Sequence, residues 1–401
     1  MRFVSAVLLA VLLALPAHAA DVARGRYLAI LGDCAGCHTA AQGAPFTGGL
    51  AFHAPFGTVY STNITPDRDT GLGKWNADDF YRALHEGVAP GGKHLYPAFP
   101  YVYFRNITRR DSDDLFAYLR TVRPVHRAAT PNRLIFPLNL RFVLVFWNWL
   151  YRNESAPHIP PDASAAWKRG EYLVNGLGHC AACHTPKDLL FGDRTGLPLA
   201  GGIIDSWFAP DITGGAGGLG RWNQADIVEF LATGRNRHAT VTGSMKEKVS
   251  SSTSRMTHAD LAAIATYLKS LPSQPFPAPN PPRPEAMARG GAVFRAHCQT
   301  CHGNARQAAR RGTPGLAQNT MVTSRDPTSV LRMILAGGEA PPQAGAPPIK
   351  PMPAFTALDD GAIADVAGYI RNAWGNRASA VSATQVHTLR RILDAERGAK
   401  R

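Results

Sequence analysis

The sequence predicts a mainly α-helical chain built from three tandem units with long loops. Three observations support this prediction. The pattern C-x-x-C-H occurs three times, at Cys34–His38, Cys180–His184 and Cys298–His302. Each copy lies between a short helical segment before it and an apolar-periodic helix after it. Finally, landmarks of the first copy recur in the second at a near-constant distance, which indicates a duplicated domain.

The pattern C-x-x-C-H is the attachment signal for a c-type haem. Two thiols on one turn form thioethers with the two vinyl groups of a porphyrin, and the adjacent histidine ligates the iron. The three copies use all six cysteines of the chain. We therefore expect covalent haem at Cys34, Cys37, Cys180, Cys183, Cys298 and Cys301, with His38, His184 and His302 as axial ligands.

Other interpretations of the cysteines fit less well. A structural zinc site needs four converging ligands, but the C-x-x-C pairs are more than a hundred residues apart. A thioredoxin-like redox pair would not repeat three times with a histidine directly after it. Cysteines on adjacent turns are also poor disulfide partners.

The first residues predict export. Met1–Arg2 precedes an apolar run over Phe3–Leu15 and a small-residue cleavage site near Ala19 or Ala20, so residues 1–20 are expected to be a signal peptide. An uncleaved anchor is the alternative, but the run is shorter than a bilayer span. The formal charge of +14 favours acidic partners or an anionic membrane face, and no nucleic-acid reader motif is present.

The first unit is predicted to cover residues 21–128. Val22–Ala29 is expected to form a helix before the haem motif, and Asn76 to cap a second helix. Ser112–Arg120 has the apolar period of a closing helix.

The second unit, residues 166–275, repeats this order. Cys34 to Cys180 is 146 residues, Trp75 to Trp222 is 147, and Tyr118 to Tyr267 is 149.

The third unit, residues 285–377, is shorter. Its motif is followed by a loop, by Met352 in Met-Pro-x-Phe, and by a predicted helix over Asp359–Trp374. This is the order of a small class I cytochrome c. The predicted fold is therefore mainly α, with three tandem class I cytochrome c domains whose long loops surround covalent haems.

Three further segments connect or follow the units. Residues 129–165 contain the apolar stretch Leu140–Tyr151, which is too short to span a bilayer. We expect a linker helix packed across two units, with the membrane interface or a partner subunit as alternatives. Residues 276–284 form a stiff proline-rich spacer. The basic tail, residues 378–401, is expected to be a solvated helix, with membrane or subunit docking as the alternative.

Methionine is a common sixth ligand opposite histidine. Met352 is the expected ligand of the third haem. In the second unit Met245 follows a Gly-rich loop and is favoured over Met256, which lies where a hydrophobic staple would pack.

The first unit differs because no methionine lies between Met1 and Met245. Its sixth ligand is expected to be a histidine, a weaker donor, water or nothing, and its potential to be lower than that of the other haems. The available histidines are His53, His85, His94 and His126, of which His94 is the leading candidate.

Motifs in all three units carry a resemblance to one family. They are Asn63–Asp67, Gly73–Trp75, His94–Ala98, Tyr172–Val174, His184–Pro186, Ala209–Thr213 and Met352–Phe355. On these motifs the chain resembles the three-haem cytochrome c subunit of bacterial membrane-associated dehydrogenases, which oxidise alcohols, aldehydes, gluconate or other polyols. That family often places a methionine at or near Phe99 or Ile107, and this sequence departs from it there.

The resemblance implies an electron relay from a dehydrogenase catalytic subunit to ubiquinone or a terminal oxidase. It also implies docking on the periplasmic face of the inner membrane. No acid–base pair or nucleophile accompanies the haem motifs, so we expect no substrate turnover by this chain alone. The alternatives are a peroxidase-like haem enzyme that uses an open first haem, and a multihaem cytochrome of another respiratory chain.

Overall fold

The computed structural model describes residues 19–151, 159–215, 217–303, 313–339 and 350–399. Helices dominate these residues, and the strands are short and antiparallel. The segment predicted to be a signal peptide lies outside the described residues except for its last two positions.

The first unit and the linker after it contain helices α1–α6 and strands β1–β5. They are α1 (Val22–Leu31), α2 (Cys34–Cys37), β1 (Ala51–Ala54), β2 (Gly57–Tyr60), α3 (Ala77–Glu86), β3 (Val88–Ala89), β4 (Lys93–His94), α4 (Tyr101–Phe104), α5 (Arg109–Thr121), β5 (Arg133–Leu134) and α6 (Val143–Tyr151). Strand β5 belongs to the linker and extends the β1–β2 hairpin into a three-stranded sheet.

The second and third units contain the remaining elements. The second has α7 (Ala165–Tyr172), α8 (Ala181–His184), β6 (Gly202–Ile204), β7 (Trp207–Ala209), α9 (Gln224–Thr233), α10 (Ser244–Ser251) and α11 (His258–Ser270). The third unit and the tail have α12 (Pro284–His297), α13 (Gln299–His302), α14 (Thr320–Thr323), α15 (Thr328–Ala336), α16 (Asp360–Ile370) and α17 (Ala383–Ala399).

One helix crossing occurs in all three units. The crossings are Gly25 on α1 against Asp114 and Tyr118 on α5, Gly170 on α7 against Ala263 and Tyr267 on α11, and Gly290 on α12 against Asp365 and Tyr369 on α16. A Cβ on these glycines would lie 2.9, 2.8 and 2.8 Å from the tyrosine Cβ, and closer still to a backbone carbonyl. The helices therefore approach as closely as they do because the crossing residue has no side chain.

The residue before each crossing glycine is an arginine that pairs with the facing helix. The ion pairs are Arg24 with Asp111 and Asp114, Arg169 with Asp260, and Arg289 with Asp365. The predicted cap at Asn76 is confirmed, since its Oδ1 accepts a 2.8 Å hydrogen bond from Asp79 N. Asn223 caps α9 in the same way.

The first two units share one hydrophobic core and are joined by reciprocal contacts. Tyr27 donates its hydroxyl proton to Asp260 Oδ2 at 2.8 Å, and Tyr172 donates to Asp111 Oδ2. Each tyrosine oxygen also accepts from the backbone N–H of the threonine that caps the facing helix. The same contact made in both directions relates the two units by an approximate two-fold axis.

The third unit has its own core and contacts the second at the β6–β7 hairpin. Ser329 Oγ accepts from Phe208 N at 2.9 Å and donates to Phe208 O at 3.0 Å. Arg325 lies over the ring of Phe208, 5.3 Å from its centroid.

Two predicted helices differ from the structure. The helix predicted over Asp359–Trp374 ends at Ile370, where the fully buried Arg371 turns inward and donates to Val322 O at 3.1 Å. The tail does form a helix, α17, but the prediction that it is solvated is wrong. Val386, Leu389 and Leu393 recur on one face and are buried against the third core.

The linker helix α6 packs across the first two units, as expected. Asn148 is buried and accepts from Tyr101 OH at 2.6 Å, while Trp147 Nε1 donates to Leu190 O of the second unit at 2.9 Å. The opposite face is exposed and apolar, with Trp149 81% and Phe146 63% accessible. Among the described residues, no helix combines the length and apolarity needed to cross a bilayer.

Candidate haem sites

Each C-x-x-C-H motif lies on a helical turn after the first helix of its unit, and in the second unit residues 173–179 lie between α7 and the motif. These turns are α2 and, for the other two motifs, the segments around α8 and α13. None of the six cysteines forms a disulfide. Burial raises the pKa of Cys34 to about 12 and of Cys37, Cys180 and Cys298 to about 11. No group of three or more His, Cys, Asp or Glu side chains that could hold a metal ion occurs among the described residues.

The motif histidines are oriented through Nδ1. Nδ1 of His38 lies 2.7 Å from the carbonyl oxygen of Thr62, and Nδ1 of His184 lies 2.7 Å from that of Pro210. Burial lowers the pKa of both histidines, and these carbonyl contacts oppose the effect. An imidazole that donates from Nδ1 keeps the lone pair of Nε2 for a metal. The residues present therefore fit histidine-ligated haem.

The loops that supply these carbonyls are held by matching turns. After Thr62, Asn63 Oδ1 accepts from Thr65 N at 2.9 Å. After Pro210, Asp211 Oδ1 accepts from Thr213 N at 2.7 Å. A short polar side chain that bonds the backbone two residues on fixes the turn. The repeated loops therefore position the acceptors of both histidines.

The third histidine has a looser environment. Burial lowers the pKa of His302, and its Nδ1 has no hydrogen-bond partner among the described residues.

The methionines occupy different environments. Met352 is half-buried against the third core and forms a bridge with Gly338, with N···O distances of 2.9 and 3.0 Å. Met245 is half-buried in the first turn of α10. Met256 is only 9% exposed within the shared core.

Three of the first unit's histidines have identified partners away from the motif. Both ring nitrogens of His85 face backbone carbonyls, those of Tyr81 at 3.0 Å and Ile107 at 2.7 Å. His53 Nδ1 lies 3.1 Å from Thr58 Oγ1 in the exposed β1–β2 hairpin. His126 is exposed beside Asp67.

His94 contacts the linker helix. Asn148 Nδ2 lies 3.4 Å from His94 Nδ1, and Arg141 donates to its backbone carbonyl at 2.5 Å.

The motifs of the first two units face each other across the two-fold axis. Lys248 Nζ lies there, 3.2 Å from His179 Nε2 and 3.6 Å from Asp33 Oδ2. Its positive charge lowers the pKa of Cys34, Cys37, Cys180 and Cys183 against the larger effect of burial. One ammonium thus acts electrostatically on all four thiols of both motifs.

Lys248, Asp33 and His179 are not among the site residues that the sequence predicts. Asp33 and His179 each directly precede a motif, and that position is the signal that would have indicated the pair. Nothing local in the sequence connects Lys248 to the first motif, since the contact with Asp33 spans two units.

Comparisons with known proteins agree with this geometry. A family model described as "Cytochrome c" matches residues 168–272 and 287–374. The cytochrome c subunit of the quinone alcohol dehydrogenase of Gluconacetobacter polyoxogenes is 39% identical over 397 residues, which covers 93% of this chain and 85% of the relative. The gluconate 2-dehydrogenase cytochrome c subunit of Pantoea cypripedii is 38% identical, with 94% and 90% coverage.

A third relative is much longer than this chain. It is a subunit of the nicotinate dehydrogenase of Pseudomonas putida, 40% identical over 365 residues, but these are 88% of this chain and only 30% of the relative.

Proposed function

The chain belongs to the cytochrome c subunits of bacterial membrane-associated dehydrogenases, and we propose that it relays electrons through three covalent haems to ubiquinone or a terminal oxidase. Covalent haem c and electron transfer follow from the family. We propose, in addition, that the haems number three, that the chain divides into three domains, and that ubiquinone or a terminal oxidase accepts the electrons.

The repeated helix crossing supports a count of three cytochrome c domains. The crossing of a glycine-containing first helix with a tyrosine-containing last helix, with an arginine–aspartate pair beside it, occurs in each unit. A C-x-x-C-H turn follows the first helix every time. This repetition supports three cytochrome c domains, at residues 21–128, 166–275 and 285–377.

The residues have separate tasks in this proposal. Bound haem supplies one-electron chemistry at its iron. The cysteine pairs would hold the porphyrin, His38, His184 and His302 would ligate its iron, and Met245 and Met352 would be further ligands in the second and third domains.

We propose that the exposed face of α6 docks on the membrane surface. Val145, Phe146 and Trp149 of α6 form one apolar face with Phe142, which directly precedes the helix, and Leu189 of the second unit is 95% exposed. Aromatic and aliphatic side chains on a basic protein suit the interface of an anionic membrane. We place the protein at the periplasmic face of the inner membrane, next to its dehydrogenase catalytic subunit.

Haem counting tests the central proposal. Intact mass and a pyridine haemochrome assay on exported protein are expected to give three haems per chain. The paired variants Cys34→Ala/Cys37→Ala, Cys180→Ala/Cys183→Ala and Cys298→Ala/Cys301→Ala should each lose one. A wild-type count below three would contradict the proposal.

Co-purification tests the relay. A tagged chain extracted from membranes should carry a dehydrogenase whose substrate reduces the haems, and ubiquinone should reoxidise them. The compounds to try first are alcohols, gluconate and nicotinate, because relatives are named for enzymes that oxidise them. Isolation of the chain with no partner and no quinone reduction would count against the relay.

The second candidate function is a peroxidase-like haem enzyme that uses the first haem. Phe99 favours it, because this side chain cannot ligate iron and lies in the loop before α4. A large high-spin fraction with rapid peroxide consumption would identify this function.

A further inference from the structure

We infer that the first haem position is a binding site for small neutral ligands such as carbon monoxide, because Phe99 lies where the second unit has Met245. The inference depends on the proposal that haem is attached at Cys34 and Cys37. It adds to an electron relay a distinct ligand-binding site in the first domain.

The equivalence of the two positions begins at a pair of matching helices. Asn76 and Asn223 are the N-caps of helices α3 and α9, each with a reciprocal capping box. Gly87 and Gly234 are their C-caps, and φ values of 67° and 75° place both glycines in the left-handed region. The two helices thus start and stop at corresponding points of their units.

After each glycine the chain folds back, and a matching backbone hydrogen bond to the carbonyl of that glycine holds it there. Leu95 N donates to the carbonyl of the first glycine at 2.7 Å, and Val241 N donates to that of the second at 2.8 Å. Phe99 comes four residues after Leu95, and Met245 comes four residues after Val241. Structural register therefore pairs Phe99 with Met245.

The environment of Phe99 is aromatic. Its ring lies 5.5 Å from that of Phe104 and 6.5 Å from that of Tyr101, and it packs against the shared core. A phenyl ring has no lone pair to donate to iron. The position that carries a thioether in the second unit therefore carries a group that only excludes water.

Neighbouring polar side chains are engaged elsewhere. Tyr101 donates to Asn148, and Tyr103 donates to Asp193 at 2.7 Å and accepts from Lys187 at 3.0 Å. His85 faces two carbonyls.

His94 remains the one histidine close in sequence to Phe99. It directly precedes Leu95, so the register pairs it with Thr240, a residue with no ligating role in the second unit. Its Nδ1 lies beside Asn148 of the linker helix. We assign His94 to the contact with α6 rather than to the iron.

Carbon monoxide titration of the dithionite-reduced, full-length protein tests the inference. Wild-type protein is expected to bind one carbon monoxide per three haems, measured by the Soret difference spectrum. Phe99→Met should abolish this binding and add a methionine-ligated, low-spin haem. The reciprocal variant Met245→Phe should bind two per chain, and His94→Ala should bind one, like wild type.

The outcomes separate the inference from the proposed function. Three haems per chain with no carbon monoxide binding in the wild type would overturn the inference and leave the relay intact. Binding that first appears in His94→Ala would also overturn it, by identifying His94 as the ligand. A first motif without haem would instead overturn the proposed function.

Discussion

The helix crossing in the second unit gives a quantitative stability prediction for Gly170→Ala. The new Cβ would lie 2.8 Å from Tyr267 Cβ and overlap the carbonyl oxygen of Ala263. Neither obstacle is the flexible end of a side chain, so α7 and α11 have to separate. Overpacking of this kind costs about 3 kcal/mol, at the upper end of the usual range, while replacing glycine by alanine in a helix returns about 1 kcal/mol. Because the steric cost is the larger of the two, we expect the free energy of unfolding to fall by about 2 kcal/mol.

Thermal unfolding of the haem-loaded protein, followed by far-UV circular dichroism, measures this loss. For a cooperative unit of about 250 residues, 2 kcal/mol lowers Tm by about 4–8 °C. The matched control is Gly196→Ala, where an added Cβ meets no atom within 4 Å and no decrease is expected. A Gly170→Ala protein as stable as the control would refute the crossing geometry.

Three further predictions concern the contact between the first two units. Tyr27→Phe removes the hydrogen bond to Asp260 and should lower the free energy of unfolding by about 1 kcal/mol, measured by urea denaturation. Lys248→Met removes the cation between the first two motifs and should lower the reduction potentials of the first and second haems. The decrease is about 59 mV if the one-electron reduction equilibrium shifts tenfold. Asp33→Asn removes a negative charge there and should raise both potentials, as measured by spectroelectrochemical titration. Burial raises the pKa of Asp260, but bonds from Arg169 and Tyr27 outweigh it and leave the pKa lowered. The contribution of the Asp260 carboxylate to folding stability should therefore be complete above about pH 4, the pKa of aspartate in the unfolded chain. This contribution should disappear as the pH falls through the pKa of Asp260 in the folded protein. Asp260→Asn should flatten this pH dependence in acid denaturation curves.

Local signals made much of the fold predictable. Asn76 followed three residues later by an acidic residue is a capping box, and the structure has that cap. Apolar residues three and four apart gave the closing helices to within a few positions.

The tail prediction failed for a physical reason. Its charged residues suggested a solvated helix, yet Val386, Leu389 and Leu393 are spaced to cover another surface. The charged residues of such a helix indicate its exposed face, whereas the spacing of its apolar residues indicates its buried face.

Contacts between units were beyond the reach of sequence. Tyr27 resembles any amphipathic tyrosine before a motif, and its partner Asp260 is 233 residues away. Lys248 is one of many cations in a basic chain. Its position between two motifs depends on the packing of α10 against α2, which no periodicity encodes.

The reciprocal tyrosine contacts have the two-fold symmetry of a homodimer interface within one polypeptide. In a true homodimer every substitution occurs twice, so the two halves stay identical. Here the halves differ at matching points, with Asp33 against His179 directly before the motifs and Phe99 against Met245 beyond them. A single chain can therefore give its two related motifs different surroundings, which a homodimer cannot.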